Sequence, residues 1–107
     1  MNDVVLVLST LPDDPSTERI ARTLVDEKLA ACVNVFSPMT SVYRWKGVVE
    51  SGSERQVLIK TSRALVSALQ QRLKELHPYE LPEFLVVPVE DGSTGYLRWI
   101  ADSLRHA

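Results

Sequence analysis

The spacing of hydrophobic residues changes along the chain of 107 residues and predicts where strands give way to helices. A continuous apolar run at residues 4–8 predicts a strand that is covered on both faces. Between residue 15 and about residue 29, the apolar side chains fall on one helical stripe. We expect Asp14 to cap this first helix, with Pro15 at its first position and Lys28 in its last turn, near the negative end of the helix dipole.

The longest β-prone stretch lies between residues 31 and 61 and predicts an overlong hairpin. Its two arms are rich in Val, Thr, Tyr and Trp, they turn at Gly47, and they exceed the usual strand length of ~5–6 residues. Ser37-Pro38 is expected to interrupt the first arm, and Ser51-Gly52-Ser53 to bulge the second, facing the first interruption. A hairpin that extends past its own core needs a partner, and a second copy of the chain is the simplest one.

The remaining pattern predicts two helices and one strand. A leucine stripe predicts a helix over residues 63–77, capped by Thr61 or Ser62 and ended by Pro78. A strand over residues 84–89 follows a proline-bounded connector, and Ser93 or Thr94 caps a last helix that ends near residue 105. The order β-α-β-β-α-β-α predicts an α+β fold: one ferredoxin-like sandwich over residues 1–107, with an antiparallel sheet, the overlong hairpin and an extra C-terminal helix.

Composition excludes several classes of protein. The net charge of -2 and the pI near 5.6 are not typical of a sequence-independent nucleic-acid binder. The chain has no apolar run of ~20 residues that predicts a membrane span, and its beginning lacks the features of a signal peptide. The single cysteine, Cys32, fits a reducing compartment. We therefore expect a cytoplasmic protein without a nucleic-acid or membrane partner.

His77 and Cys32 are the candidate metal ligands. His77 ends the predicted second helix, where we expect partial exposure, and it is interpreted either as a helix-terminal residue or as a ligand. Cys32 is interpreted as a small buried hydrophobe, or else as a soft-metal or redox ligand. No His-x-His, Cys-x-x-Cys or Glu-x-x-His motif occurs, so we do not expect a metal cage within one chain. Copies of His77 around an oligomer axis, or His77 with carboxylates, stay open as alternatives.

A second set of residues suggests a pocket or an interface between subunits. Tyr43 and Trp45 lie two apart and so share one face of the hairpin, which fits interface packing or ligand binding. The full set of candidates also includes Cys32 and residues that flank apolar or proline-constrained segments: Lys28, Lys60, Tyr79 and Glu83. No nucleophile elbow, glycine-rich phosphate loop or evident general base occurs, so we expect neither an enzyme nor an organic cofactor.

Several segments together resemble one known family. They are KLAACVNVF, TSVYRWKG, IKT, HPYELPEFLVVPV and the ending Gly-x-x-x-Tyr-Leu-x-Trp-Ile. In this order they resemble the CutA family of divalent-cation tolerance proteins. The resemblance implies a cytoplasmic, ferredoxin-like homotrimer with interlocking hairpins, similar in architecture to PII signalling proteins. It further implies tolerance of divalent ions, notably Cu²⁺, and no established enzyme activity.

The resemblance also implies where copper would bind, and this chain departs from that pattern. Some bacterial members are credited with a cysteine at the end of the first strand and two consecutive histidines before Pro-Tyr. The matching residues here are Ser9, Leu76 and His77, of which only His77 is a good copper ligand. The expectations are therefore a weakly metal-binding trimer, a PII-like small-ligand sensor or signalling trimer, or a scaffold for a partner protein.

Overall fold

The protein is an antiparallel five-stranded sheet with helices on both faces, seen in a computed structural model that describes residues 2–106. The strands follow the order β2-β4-β1-β5, and β3 pairs with the outer part of β4. This arrangement confirms the predicted ferredoxin-like fold with its extra C-terminal helix. The elements are β1 (Val4–Pro12), α1 (Ser16–Asp26), β2 (Cys32–Val35), β3 (Met39–Trp45), β4 (Val48–Ser62), α2 (Val66–Leu76, entered through a 3-10 turn at Arg63–Leu65), β5 (Leu85–Pro88) and α3 (Thr94–Asp102).

The main hydrophobic core lies between one face of the sheet and the helices α1 and α2. Alternate residues of each strand point to this face, and Val5, Val7 and Ile59 are fully buried there. Leu24 of α1 and Leu69 of α2 pack against them in the same cluster. This core fixes the strands from which the functional residues project.

None of the helices in residues 2–106 has both the length and the apolar character that crossing a bilayer requires.

The opposite face of the sheet is only partly covered. Helix α3 packs at one end, where Ile100 forms a small cluster with Val4 and Ala31. The rest carries apolar side chains that share this face because they are alternate or directly paired residues of β1, β4 and β5. We name this surface the open face; it consists of Leu6, Leu8, Leu58, Leu85 and Val87.

The outer hairpin, residues 39–54, extends beyond this core. Its turn is at Lys46-Gly47, where both residues have positive φ (51° and 82°) and Trp45 pairs with Val48. Two central residues with positive φ form a type I′ turn, the two-residue connection that matches the twist of a hairpin. The turn predicted at Gly47 is therefore confirmed. Because the hairpin extends beyond the core, the molecule is elongated, with principal extents of 44 × 26 × 24 Å.

The irregularity in the hairpin lies on the first arm alone. Val35 pairs with Val57 and Met39 with Glu54, so three residues, 36–38, stand opposite two, Arg55 and Gln56. Pro38 lacks a backbone N–H and cannot donate a hydrogen bond to β4. The extra residue of the first arm is therefore accommodated next to Pro38, where one bond between the strands is already absent. The predicted bulge at Ser51-Gly52-Ser53 is wrong, as is its alignment with Ser37-Pro38. That segment pairs regularly with residues 40–42.

Some predicted element boundaries also change. Strand β1 continues through Pro12 instead of ending at residue 8, because every one of its residues pairs with β4. Helix α1 ends at Asp26, and Lys28 adopts a left-handed φ of 59° beyond its end. The prediction that Lys28 lies in the last helical turn is therefore wrong. Its left-handed backbone closes the helix, and the Leu29 N–H returns to the Leu24 carbonyl.

The predicted caps are right at two of the three helices. The Asp14 carboxylate accepts hydrogen bonds from the Ser16 backbone N–H and hydroxyl, and the Ser93 hydroxyl accepts from the Tyr96 N–H at 3.4 Å. At the entry to α2, Ser62 makes no side-chain cap. Thr61 is used differently: its hydroxyl donates to the Leu29 carbonyl at 2.7 Å and ties β4 to the loop after α1.

Candidate functional site

A cleft of about 580 Å³ lies between the outer hairpin and the connector, residues 77–84. We name it the aromatic cleft. Tyr43 and Trp45 line one side of it from β3, and Tyr79 contributes from the connector. The complete lining is Thr10, Tyr43, Trp45, Gly52, Ser53, Glu54, Tyr79, Glu80, Leu81, Pro82 and Glu83.

The cleft brings together four of the predicted pocket residues. Tyr43, Trp45, Tyr79 and Glu83 all line it. Tyr43 and Trp45 share a face because they lie two apart on a strand. The paired positions Met39 and Glu54 lie on the same face, since residue 39 has the same parity as residues 43 and 45.

Two hydrogen bonds fix Glu83 against the sheet. Its backbone carbonyl accepts from the Ser9 hydroxyl at 2.7 Å, and its carboxylate accepts from the Gln56 amide at 2.9 Å. Gln56 also donates to the Ser9 carbonyl at 2.7 Å. Ser9 and Gln56 therefore hold the connector at the end of the open face, a role that the sequence analysis missed because it needs the strand register.

His77 anchors the other end of the connector. Its side chain is buried, only 8% exposed, so the expectation of partial exposure is wrong. Its Nε2 donates to the Thr10 carbonyl at 2.6 Å, and its Nδ1 accepts from the Tyr79 N–H at 3.2 Å. Both ring nitrogens are thus engaged within the chain. Burial lowers the pKa of His77, which keeps the imidazole neutral and fits the tautomer with the proton on Nε2.

The charged side chains that line the cleft are all negative. It contains the carboxylates of Glu54, Glu80 and Glu83, and among its lining residues, all within 2–106, none is basic. The Tyr79 hydroxyl donates to Glu54 at 3.3 Å. Burial first, and then the negative charge of Glu54, raise the pKa of Tyr79 to about 12. The phenol therefore stays protonated and serves as a donor to Glu54.

Lys60, Cys32 and Lys28 lie outside the aromatic cleft. Cys32 pairs with Lys60 across β2 and β4. The Lys60 ammonium donates to the Tyr96 hydroxyl at 2.9 Å, a bond that raises the pKa of Lys60, and it lies 5.3 Å from the centre of the Tyr96 ring. Tyr96 in turn stacks on Trp99 at 5.4 Å. Of the predicted set, Cys32 and Lys60 therefore lie together on paired strands, apart from the four residues that line the cleft.

A metal centre is not preassembled in the part of the chain that the structure describes. Within residues 2–106, no three or more His, Cys, Asp or Glu side chains are grouped closely enough to hold a metal ion. Ser9 is fully buried and bonded to the connector. Leu76 packs against the main core. Of the three positions that the resemblance associates with copper, only His77 carries a metal-binding group, and its two nitrogens already have partners.

Comparison with known proteins supports a single family. A sequence model of the "CutA1 divalent ion tolerance protein" family matches residues 5–103. The divalent-cation tolerance protein CutA of Pectobacterium atrosepticum is 45% identical over 103 residues, which cover 96% of this chain and 94% of that protein. The chloroplastic protein CutA 1 of Oryza sativa is 37% identical, and the matched region covers 96% of this chain but only 58% of the rice protein.

Solved structures agree with the sequence comparison. The crystal structure of CutA from Xylella fastidiosa superposes with a TM-score of 0.92 at 48% identity, covering 96% of this chain and 99% of that one. The agreement therefore extends over the sheet, the outer hairpin and the connector, and not over a single motif. The family predicted from the sequence segments is confirmed, and this chain belongs to the CutA1 divalent ion tolerance family.

Proposed function

We propose that this protein takes part in divalent-cation tolerance as a cytoplasmic homotrimer that binds metal weakly and catalyses no reaction. The observation that carries the proposal is the open face. Leu85 is 56% exposed and Val87 is 41% exposed, beside half-buried Leu6 and Leu8. A contiguous apolar surface of this kind is typical of an interface. The number of three subunits follows from the CutA resemblance, and the free thiol of Cys32 fits the proposed compartment.

The outer hairpin gives the assembly independent support. Val42, Val48 and Val49 are between 59% and 69% exposed, although β-branched residues are typical of covered sheet. Strand β5 also forms an edge of the sheet, which is available for contact with another chain. Light scattering at micromolar concentration is expected to give about three times the chain mass of 12.0 kDa. A mass of one chain would reject the proposed trimer.

For metal binding, we propose Nδ1 of His77 as one ligand. At 3.2 Å, its bond from the Tyr79 N–H is longer than the 2.6 Å bond from Nε2 to the Thr10 carbonyl. A histidine that donates its other N–H to a carbonyl is typical of metal sites, and metals bind the neutral ring that burial favours here. A metal at Nδ1 has to displace the Tyr79 N–H, so the affinity is expected to be weak.

Titration with Cu²⁺ tests this ligand. In His77→Gln the side-chain amide keeps a donor near the position of Nε2 but removes Nδ1. We expect it to lose the binding that wild-type protein shows, while His106→Gln keeps it. Equal affinity in wild-type protein and His77→Gln would remove His77 from the site, without bearing on the oligomeric state.

The aromatic cleft supports a second candidate, a small-ligand sensor. Its volume of about 580 Å³ lies within the usual range for small-molecule sites, ~300–1,000 Å³. Three aromatic rings and three carboxylates give it both apolar area and polar specificity. A ligand screen by thermal shift should find compounds that stabilise wild-type protein. If no compound of any charge class stabilises the protein, this candidate fails.

A further inference from the structure

We propose that the aromatic cleft binds a small organic amine in its protonated form. This inference rests on the second proposed function, a small-ligand site in that cleft, and names its ligand class. In the bound state, the ammonium group would lie among the cleft carboxylates, and the alkyl part would lie against the aromatic rings.

The charge of the lining selects a cation. Glu54, Glu80 and Glu83 contribute three carboxylates, and no basic residue occurs among the lining residues named above. Glu54 accepts from Tyr79, and Glu83 accepts from Gln56, so both carboxylates are held in place. Ionised carboxylates are hydrogen-bond acceptors only. The ligand therefore has to supply N–H donors as well as positive charge, as an alkylammonium ion does.

The aromatic rings favour an organic cation over a hydrated inorganic one. Indole and phenol faces attract a cation that lies within about 6 Å of the ring centre. The Lys46 ammonium, which is not a lining residue, already lies 5.7 Å from the centre of the Trp45 ring, so a ligand would share this ring with a cation of the chain itself. In the single chain, Tyr43 is 46% exposed and Tyr79 is 36% exposed, so both rings present surface that the carbon chain of a ligand can contact.

The shape of the site argues against a bare metal ion. A space of about 580 Å³ is far larger than one ion needs, and it falls within the usual range for small organic ligands. Among residues 2–106, the acidic side chains form no group of three that could coordinate a metal. The carboxylates are therefore spread along the cleft, which suits a cationic group attached to an apolar body.

Three six-carbon probes with a positive, a neutral and a negative head group test the proposal: hexylammonium, 1-hexanol and hexanoate. Each is titrated into the full-length protein in its native oligomeric state, and binding is followed by NMR from the Trp45 indole N–H and the Tyr79 amide. We expect hexylammonium to shift both signals with an affinity about tenfold higher than that of hexanol, and hexanoate to shift neither. A cation–π contact and a nearby carboxylate together account for a difference of this order.

Charge-neutral variants locate the site. Glu80 is exposed on the connector, so Glu80→Gln is expected to fold normally and to weaken hexylammonium binding about fivefold, as loss of one exposed charge a few ångströms away predicts. Glu90→Gln, an equal charge change at an exposed position outside the cleft, is the matched control and should bind as wild type does. Trp45→Leu should weaken binding further, and its mass by light scattering shows whether it still assembles.

The outcomes separate this inference from the function on which it rests. Hexanol or hexanoate binding at the cleft as tightly as hexylammonium would overturn the amine proposal but keep a small-ligand site. The absence of any shift at Trp45 and Tyr79 with all three probes would overturn the amine proposal, whether the cleft is empty or filled by a neighbouring subunit. Equal loss of affinity in Glu80→Gln and Glu90→Gln would also overturn it, because the attraction would then be a property of the whole surface.

Discussion

Leu85 offers a direct test of the proposed assembly through the open face. It lies on the edge strand β5, pairs with Leu8, and is 56% exposed in the single chain. Full burial of a leucine is worth ~1.5–3 kcal/mol, so a neighbouring subunit that covers the remaining surface gains about 0.8–1.7 kcal/mol at each copy. Replacement by Gln removes this gain and buries an amide, which costs about 1–3 kcal/mol when it finds no partner.

We therefore expect Leu85→Gln to weaken assembly by about 2–5 kcal/mol per subunit, while the fold of each subunit is kept. The assay is light scattering over a dilution series, with circular dichroism to monitor folding. Wild-type protein should keep a mass of three chains through the low micromolar range, and the variant should fall to the mass of one chain. Val25→Gln is the matched control, because Val25 is 41% exposed but lies on α1, on the other side of the sheet.

The result that would refute this reasoning is a Leu85→Gln protein that stays fully assembled on dilution. Its interface would then have to avoid β5 and rely on the outer hairpin alone. Dissociation of Val25→Gln to the same degree would also refute it, because loss of exposed apolar surface anywhere would then suffice. Loss of the circular dichroism signal in Leu85→Gln alone would show that Leu85 stabilises the subunit itself.

Two further predictions concern His77 and the hairpin turn. Burial lowers the pKa of folded His77 below its usual 6.5, so the unfolded chain binds a proton more readily. The contribution of neutral His77 to the free energy of unfolding is thus complete above pH 6.5, and it is lost as the pH falls through the lowered pKa of the folded state. Denaturant titrations should show this slope in wild type and His106→Gln, but less of it in His77→Gln. Gly47→Ala should cost about 1 kcal/mol in thermal unfolding because of its φ of 82°, whereas Gly52→Ala should cost nothing.

Each of these predictions has its own contradicting outcome. An unchanged pH profile in His77→Gln would mean that other groups cause the loss of stability in acid. Gly47 and Gly52 both have open space where a Cβ would stand, and only Gly47 has positive φ. Equal stability of the two alanine variants would therefore show that the turn relaxes to accept a side chain.

Periodicity alone was enough to predict the fold class, because the two helical stripes and the β-prone runs are each unambiguous. Local chemistry was also a sound guide at Asp14, Ser93 and Gly47, where one residue determines the backbone around it. Two errors, the early end of β1 and the bulge at Ser51-Gly52-Ser53, occurred where pairing between strands overrides local preference. Ser51-Gly52-Ser53 is weakly β-prone by composition, yet it is held in a regular ladder by its partners on β3.

The site was only partly predictable for the same reason. The spacing of Tyr43 and Trp45 predicts correctly that they share one face of the hairpin. The positions of Glu54 and Gln56 in the site depend on the register between strands. A two-residue turn at Lys46-Gly47 places residue 54 opposite residue 39, and this relation was available from the sequence once the turn type was chosen. The buried position of His77 was not available from the sequence, because its hydrogen bond to Thr10 joins residues that lie 67 positions apart.

Strand β4 runs unbroken for 15 residues, from the tip of the outer hairpin to the centre of the main sheet. In an isolated chain, its amides would show a gradient of hydrogen-exchange protection along one continuous element. Protection would be strong near Ile59, between two neighbouring strands, and weak near Val49, which has a partner strand on one side. Contact with neighbouring copies would flatten that gradient from the tip inward. The exchange profile of this one strand therefore distinguishes an isolated chain from an assembled one.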